Sequence, residues 1–185
     1  MNPNKKLSIS VVIPTYNEVR AIGEVVRGVP RNRVKEVIVV DNGSTDGTSE
    51  QAAAAGARVI QEQRMGYGSA CWAGSQAARQ SDLIVFLDGD RSDDPAQIER
   101  IANPVIQGQA DLVIGSRIGG SLEKGSMPLH AQLGNHMIVL LLRLLYGVRI
   151  TDIGSFRAIR TCNLFELNME QMTYGWPVEM VVKAA

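Results

Sequence analysis

The chain has few cysteines and no excess charge of either sign. Its 185 residues include only Cys71 and Cys162, which lie far apart and outside any CxxC spacing. The sequence therefore predicts neither a disulfide framework nor a zinc site, and reduced thiols are typical of an intracellular protein. Nineteen basic and nineteen acidic residues balance to zero. That balance argues against a nucleic acid partner and against purely electrostatic binding to anionic lipid.

Long hydrophobic runs are also missing. The first ten residues, MNPNKKLSIS, contain no apolar stretch that could serve as a signal peptide, which predicts a cytoplasmic protein. The longest apolar run, Met137–Leu145, has about half of the ~20 residues that span a bilayer, and it contains Arg143. The hydrophobic content of 45% suffices for one core, so residues 1–185 are expected to form a single domain. Because no helix-ending signal precedes Ala185, the C-terminal end is expected to be truncated.

Short runs rich in β-branched residues alternate with helical patterns. The predicted strands are Ile9–Ile13, Val34–Val40, Arg58–Ile60, Leu83–Leu87 and Leu112–Ile114. Most are apolar throughout, as is typical of parallel strands that are covered on both faces. The alternation predicts an α/β fold with an open, mostly parallel sheet and ligands beyond the carboxyl ends of its strands.

Helices are predicted between these strands and after the last one. The ranges are Glu18–Val29, Thr45–Ala55, Gly68–Gln80, Pro95–Gln107, a long apolar helix Leu129–Tyr146 and a last helix from about Pro177. Ser44 or Thr45 is predicted to cap the second helix, and Asp94 the fourth. The glycine-rich stretch Gly115–Gly125 is predicted to be a mobile loop over a site.

Polar clusters follow three of the predicted strands. They are PTYNE at 14–18, DNGSTD at 41–46 and DGD at 88–90. The carboxyl ends of parallel strands meet at one edge of a sheet, where these carboxylates repel one another unless a cation or ligand donors offset the charge. Turn formation is the alternative explanation for each cluster, because Asp and Asn are common in turns.

The DGD cluster has the pattern of a metal site. Asp88 and Asp90 follow a buried apolar run, Gly89 leaves room for a ligand, and Ser92 adds an oxygen. Mg²⁺ is commonly held by one or two carboxylates together with substrate phosphates, so this triplet suits a metal-bound diphosphate. An EF-hand calcium loop is disfavoured because its sixth position needs glycine and is Asp93 here.

Two other nucleotide-binding signatures are missing. The sequence contains no GxxxxGK[ST] motif, and GYGSAC at 66–71 lacks the third glycine of GxGxxG, so P-loop and dinucleotide folds are disfavoured. Gly66 and Gly68 nevertheless lie at a predicted helix start, where they could let the backbone approach a phosphate or could be plain turn glycines.

Together these segments resemble the family 2 glycosyltransferases of the GT-A fold, particularly the dolichyl-phosphate mannose synthase-like branch that glycosylates polyprenyl phosphates. The matching motifs, which cover most of the chain, are VVIPTYNE at 11–18, VIVVDNGSTDGT at 37–48, GYGSA at 66–70, FLDGD at 86–90, GSR at 115–117 and TDIGSFRAIR at 151–160. Residues up to about 117 would then bind nucleotide, and residues from about 118 to 185 would face the acceptor and the membrane.

The resemblance implies how a UDP- or GDP-sugar donor would bind. Pro14, Tyr16 and Glu18 would hold the nucleoside, with the Tyr16 ring against the base, although a half-buried packing role for Tyr16 stays open. Asp41 would accept a hydrogen bond from the base or the ribose. Asp88 would share Mg²⁺ or Mn²⁺ with Asp90 on the diphosphate. The residues do not identify the base or the sugar, and UDP-glucose is the working choice.

The resemblance also implies catalytic roles for Asp90, Arg117 and Asp152. The Arg117 guanidinium would pair with phosphate oxygens as charge develops on the leaving group, or it is a solvated loop arginine. Asp152 would be the base for a hydroxyl acceptor, or it is a turn cap, and an anionic phosphate acceptor needs no base. Arg157 would hold an acceptor phosphate or pair with Asp152.

The acceptor that the resemblance implies is a polyprenyl phosphate or another lipid. The apolar helix around Asn135–Tyr146 then either rests on a membrane surface, docks a missing C-terminal part or is simply a core helix. Transfer would occur with inversion at the cytoplasmic face of a membrane. The alternatives are a nucleotidyltransferase, which is disfavoured because PTYNE is not a basic, glycine-rich loop, and a non-catalytic sugar-nucleotide sensor or scaffold. The sequence does not indicate an oligomeric state.

Overall fold

The computed structural model describes residues 7–116, 129–147, 150–151 and 153–185, without the side chains of residues 129–136 and 141. The strands in this part of the chain are β1 (Ile9–Thr15), β2 (Glu36–Asp41), β3 (Arg58–Gln61), β4 (Leu83–Phe86), β5 (Leu112–Ile114) and β6 (Arg157–Arg160). The helices are α1 (Ile22–Gly28), α2 (Thr48–Ala54), α3 (Tyr67–Ala77), α4 (Ile98–Ile106), α5 (Leu129–Tyr146), α6 (Thr161–Glu166) and α7 (Trp176–Ala184). A 3₁₀ turn at Pro95–Gln97 leads into α4.

The six strands form one sheet in the order β3-β2-β1-β4-β6-β5. β1 pairs in parallel with β2 and β4, and β2 pairs in parallel with β3. β6 runs antiparallel to both of its neighbours, β4 and β5. The predicted α/β fold with a mostly parallel sheet is thus confirmed.

Helices pack on both faces of the sheet, which explains why the central strands are apolar throughout. Along β1, Val11 and Ile13 face the core that α1, α2 and α4 cover, whereas Val12 faces the core that α3, α6 and α7 cover. All three side chains are fully buried. α3 lies so close to the sheet that a Cβ on Gly74 would come within 2.3 Å of Val12 Cγ1.

The structure corrects two predictions near the strand ends. Residues 18–21 form a turn, and α1 begins only at Ile22. Neither Ser44 nor Thr45 caps α2, because Gly47, with a φ of 93°, occupies the cap position without a side-chain bond. The backbone N–H of Thr48 instead donates to Asp46 Oδ1. The predicted cap at Asp94 is confirmed, since its side chain accepts from the Ala96 N–H.

The predictions also missed two elements, β6 and α6. No strand was predicted after Leu112–Ile114, but residues 157–160 form one whose first member, Arg157, is 1% exposed. A strand that begins and ends with arginine lacks the apolar pattern that identified the other strands.

α5 exposes several apolar side chains to solvent. Met137, Leu140, Leu144 and Leu145 are each more than half exposed, whereas Leu142 is buried. No helix in the described part of the chain combines the length and the apolar character that a membrane span requires.

Candidate active site

The carboxyl ends of β1, β2 and β4 meet at a cleft of about 620 Å³. The register places Thr15 of β1 opposite Asp41 of β2, and the segment after β4 follows on the other side of β1. The loops after β1, β3 and β4 and the segments around residues 153–155 and 174–177 line the cleft. The parallel sheet therefore brings together the side chains that follow its strands, as expected for this class of fold.

Three of the predicted nucleoside-binding residues line the cleft: Pro14 near the end of β1, and Tyr16 and Glu18 in the loop after it. Tyr16 is 54% exposed. Asn17 adopts a left-handed backbone with a φ of 57°. Its amide donates to Ser44 Oγ at 2.9 Å, and the Glu18 amide donates to Thr48 Oγ1 at 2.8 Å. These bonds join the loop to the segment that follows β2.

Asp41 lies beside the cleft but is not among its lining residues. Its carboxylate is buried and accepts bonds from the Ser44 N–H at 2.8 Å, from Ser49 Oγ and from Gln61 Nε2 at 3.4 Å. Burial alone would raise the pKa of Asp41, but these donors outweigh it and the pKa is lowered. Asp41 is an ionised group that organises its own loop.

All three residues of the DGD triplet, Asp88, Gly89 and Asp90, line the cleft. Gly89 is packed so tightly that a Cβ there would lie 2.7 Å from Thr15 Cγ2. Asp90 is exposed, and its Oδ1 accepts a bond from the Ser92 N–H at 2.8 Å. Ser92 is exposed and does not line the cleft.

An EF-hand is excluded at this position. Asp88 follows strand β4 rather than a helix. Asp93, at the position where a calcium loop needs glycine, is buried and accepts a bond from Ser155 Oγ at 3.2 Å.

Negative charge accumulates around the triplet. Partial burial, followed by repulsion from Asp90, Asp46 and Asp88, raises the pKa of Glu18. Carboxylate oxygens are the ligands that hard divalent cations take, so the donor chemistry of Asp88 and Asp90 would suit Mg²⁺ or Mn²⁺. Among the described residues, no group of three or more His, Cys, Asp or Glu side chains forms a metal cage.

Asn42 fixes the loop after β3, and its part in the site was not predicted. Its side-chain amide donates to the carbonyls of Glu62 and Arg64, both at 2.9 Å, and its Oδ1 accepts from the Gly66 N–H at 2.7 Å. Asn42 is 5% exposed. These three bonds place Met65, which is 59% exposed, on the cleft.

The start of α3 is covered by protein backbone. The Ser69 N–H donates to the Met172 carbonyl at 2.9 Å. A Cβ on Gly66 would lie 2.2 Å from that carbonyl oxygen, and one on Gly68 would lie 2.3 Å from the Gln171 carbonyl oxygen. Gly68 does not line the cleft. The close backbone approach predicted for these glycines is therefore to residues 171–172 of the chain itself.

Two tyrosines from distant parts of the sequence form one wall of the cleft. Tyr67 stacks on Tyr174 with ring centroids 6.4 Å apart, and its hydroxyl donates to Asp88 Oδ1 at 3.3 Å. Burial, with Cys71 and Asp88 as further causes, raises the pKa of Tyr67 well above its ordinary value. Tyr67 lies within the GYGSA motif, but nothing in the local pattern indicated the contact with Asp88.

Arg157 is not available to an acceptor phosphate, so that prediction is wrong. The buried guanidinium donates to the carbonyls of Gly154 and Pro177 and thereby joins two segments that line the cleft. Arg117 and Asp152, the other predicted catalytic residues, lie outside the described residues, as does most of the loop Gly115–Gly125.

Comparison with known sequences identifies related proteins. The family model described as glycosyl transferase family 2 matches residues 10–165. An uncharacterized glycosyltransferase of Mycobacterium tuberculosis is 33% identical over 180 residues, which are 96% of this chain and 79% of that protein. An undecaprenyl-phosphate mannosyltransferase of Micrococcus luteus is 30% identical, with 97% of this chain and 78% of that protein covered.

Comparison with solved structures supports the same relationship. Glucosyl-3-phosphoglycerate synthase from Mycobacterium tuberculosis, in complex with Mn²⁺, UDP-glucose and phosphoglyceric acid, has a TM-score of 0.73 and 28% identity. The match covers 95% of this chain but only 64% of that one. The chain therefore spans a little under two thirds of this solved relative, and the predicted GT-A architecture is confirmed.

Proposed function

Because the chain belongs to glycosyl transferase family 2, we propose that its cleft binds a UDP- or GDP-sugar with a divalent cation and that the sugar is transferred, with inversion, to a polyprenyl phosphate. The observation that carries the proposal is the meeting of Tyr16, Glu18 and the DGD triplet on one cleft. The cleft's volume of about 620 Å³ lies within the usual range for small-molecule sites.

The loop after β1 provides the nucleoside site in this proposal. Tyr16 offers an exposed ring on which a base can stack, and Pro14 and Glu18 lie beside it. Asp41 supports this loop through Ser44, whose hydroxyl accepts from the Asn17 amide. UDP is the first nucleotide to test, because the solved relative was crystallised with UDP-glucose.

Asp88 and Asp90 would hold Mg²⁺ or Mn²⁺ against the donor diphosphate. Gly89 keeps the two carboxylates close to the sheet edge, and the Ser92 N–H orients Asp90. A cation bound there would stabilise the charge that grows on the nucleotide leaving group. The part of Ser92 is thus to position Asp90 through its backbone.

Arg117 and Asp152 take the remaining catalytic roles, which the family resemblance implies. Arg117 would pair with diphosphate oxygens as the anomeric bond breaks. Asp152 would take the proton of a hydroxyl acceptor, whereas a phosphate acceptor is already anionic and needs only positioning. Residues after about 118 would face the acceptor, in keeping with the contribution of Ile153, Ser155 and Tyr174 to the cleft.

A polyprenyl phosphate is the acceptor that we favour. The Micrococcus luteus relative is named for transfer to undecaprenyl phosphate. α5 exposes Met137, Leu140 and Leu144 at the spacing of a single helix face, and Arg143 is exposed on the same helix. Such a surface suits peripheral contact with a membrane that contains anionic lipid.

A thermal-shift panel tests donor binding. UDP, GDP and their sugars are compared with and without Mn²⁺, and a ligand at a hundred times its dissociation constant should stabilise the protein by about 2.7 kcal/mol. Asp88→Asn combined with Asp90→Asn should abolish the Mn²⁺-dependent shift. Asp111→Asn is the matched control, because Asp111 precedes β5 and lies at the opposite edge of the sheet. A shift that survives the double substitution would contradict the proposed metal site, and no shift with any nucleotide would favour a scaffold.

Vesicle flotation tests the acceptor side. The chain should float with vesicles that contain phosphatidylglycerol and polyprenyl phosphate, and Leu140→Asp with Leu144→Asp should abolish flotation without changing UDP binding. Incubation with donor and polyprenyl phosphate should then give a lipid-extractable sugar. Failure of the wild-type chain to float would contradict the proposed membrane contact.

A further inference from the structure

We propose that Tyr67 is a positioning residue whose hydroxyl orients the Asp88 carboxylate for cation binding, an inference that rests on the proposed function. The side-chain oxygen of Tyr67 lies 3.3 Å from Asp88 Oδ1, and both residues line the cleft. Tyr67 is the first residue of α3, and Asp88 follows β4, so this contact joins two elements that are far apart in sequence.

The position of Tyr67 is fixed on both sides of its backbone. The preceding residue, Gly66, donates its N–H to Asn42 Oδ1 at 2.7 Å. Two residues further on, the Ser69 N–H donates to the Met172 carbonyl at 2.9 Å. Gly66 itself permits this approach, because a side chain there would collide with Met172. The backbone that carries Tyr67 is therefore tied on one side to Asn42 and on the other to Met172.

The ring of Tyr67 is also held. Tyr174 stacks on it at an interplanar angle of 18°, although Tyr174 is itself 86% exposed. Residues 170 and 171 are fixed in turn, because their N–H groups donate to the Glu179 carboxylate at 2.9 and 2.8 Å. Tyr174 thus extends from a segment that is tied to α7.

A donor on one oxygen restricts the rotation of a carboxylate. At 3.3 Å the bond is longer than the ~2.7–2.8 Å typical of O–H···O bonds, and such contacts often tighten when a site is loaded. Partners of this kind orient the metal ligands themselves, and their loss typically costs about 10–100-fold in metal affinity. Tyr67 should therefore affect the cation more strongly than the nucleotide.

Tyr67→Phe tests the proposal, because it removes the hydroxyl and keeps the ring. The binding of Mn²⁺ in the presence of UDP is measured by the electron paramagnetic resonance signal of free Mn²⁺. We expect the Mn²⁺ dissociation constant to rise about 10-fold. UDP affinity without metal and the melting temperature of the metal-free protein should stay unchanged. The matched control is Tyr146→Phe on α5, which makes the same change outside the cleft.

Two further variants separate the possible failures. Tyr174→Ala removes an exposed stacking partner and should raise the Mn²⁺ dissociation constant in the same direction. An unchanged Mn²⁺ dissociation constant in Tyr67→Phe overturns the proposal. If Tyr67→Phe fails to fold, an unchanged Mn²⁺ dissociation constant in Tyr174→Ala overturns it instead. Asp88→Asn tests the proposed function separately. If Asp88→Asn keeps Mn²⁺-dependent UDP binding, the proposed metal site is wrong. If Asp88→Asn loses that binding while Tyr67→Phe is unaffected, only the role of Tyr67 is refuted.

Discussion

Asn42→Ala should destabilise the protein through the loop after β3. The substitution removes three hydrogen bonds of 2.7–2.9 Å, to the carbonyls of Glu62 and Arg64 and from the N–H of Gly66. At about 0.5–1.5 kcal/mol for each bond, the loss is roughly 1.5–4.5 kcal/mol. The lower half of that range is expected, since Arg64 is exposed and its carbonyl can turn to water.

Urea unfolding measures this effect. The free energy of unfolding should fall by about 2–3 kcal/mol without a change in the slope against urea. For a chain of this length, that corresponds to roughly 4–12 °C in melting temperature. UDP binding should weaken as well, because the same loop carries Met65 and leads into Tyr67.

A matched substitution tests the reasoning. Asn163→Ala removes two exposed bonds, one from Nδ2 to Asp111 Oδ1 at 2.9 Å and a weak one that Oδ1 accepts from Cys162 Sγ at 3.2 Å, and should cost no more than ~0.5 kcal/mol. If Asn42→Ala costs as little as Asn163→Ala, the claim that Asn42 holds the loop is refuted.

Three further changes have definite expected results. Gly68→Ala places a Cβ 2.3 Å from the Gln171 carbonyl oxygen and should cost about 1–3 kcal/mol, measured by urea unfolding. Tyr16→Ala should weaken UDP binding by about 1–3 kcal/mol in calorimetry while leaving the melting temperature unchanged, because Tyr16 is 54% exposed. Glu18→Gln should raise the melting temperature at neutral pH. The pKa of Glu18 is raised in the folded state, so the ionised side chain opposes folding above that pKa, and the gain should vanish as the pH falls below the ordinary glutamate value.

The fold was largely predictable because its signals are local. Apolar runs such as Leu83–Phe86 identified parallel strands buried on both faces, and their helices followed in order. β6 was not predicted because the arginines at its two ends break the apolar pattern that identifies a buried strand. The Arg157 guanidinium donates to the carbonyl of nearby Gly154 and to that of Pro177, which only the folded chain brings close. No sequence pattern records such long-range partners.

The carboxylates of the candidate site could be predicted from the sequence, whereas the residues that hold the surrounding loops could not. PTYNE and DGD lie next to strands, so the topology alone brings them to one edge. Tyr67, Tyr174 and Asn42 depend on the path of the loops after β3 and before α7. Gly68 belongs to the GYGSA motif, and the backbone that approaches it is that of residue 171, which no local pattern indicated.

Anomalous diffraction from crystals grown with Mn²⁺ and UDP would show whether Asp88 and Asp90 hold the cation on the donor diphosphate. We expect a manganese peak within coordination distance of both the Asp88 and the Asp90 carboxylates and of the UDP diphosphate, with the uracil ring against Tyr16. Ordered UDP in another part of the molecule, or a manganese peak away from these two carboxylates, would contradict this expectation.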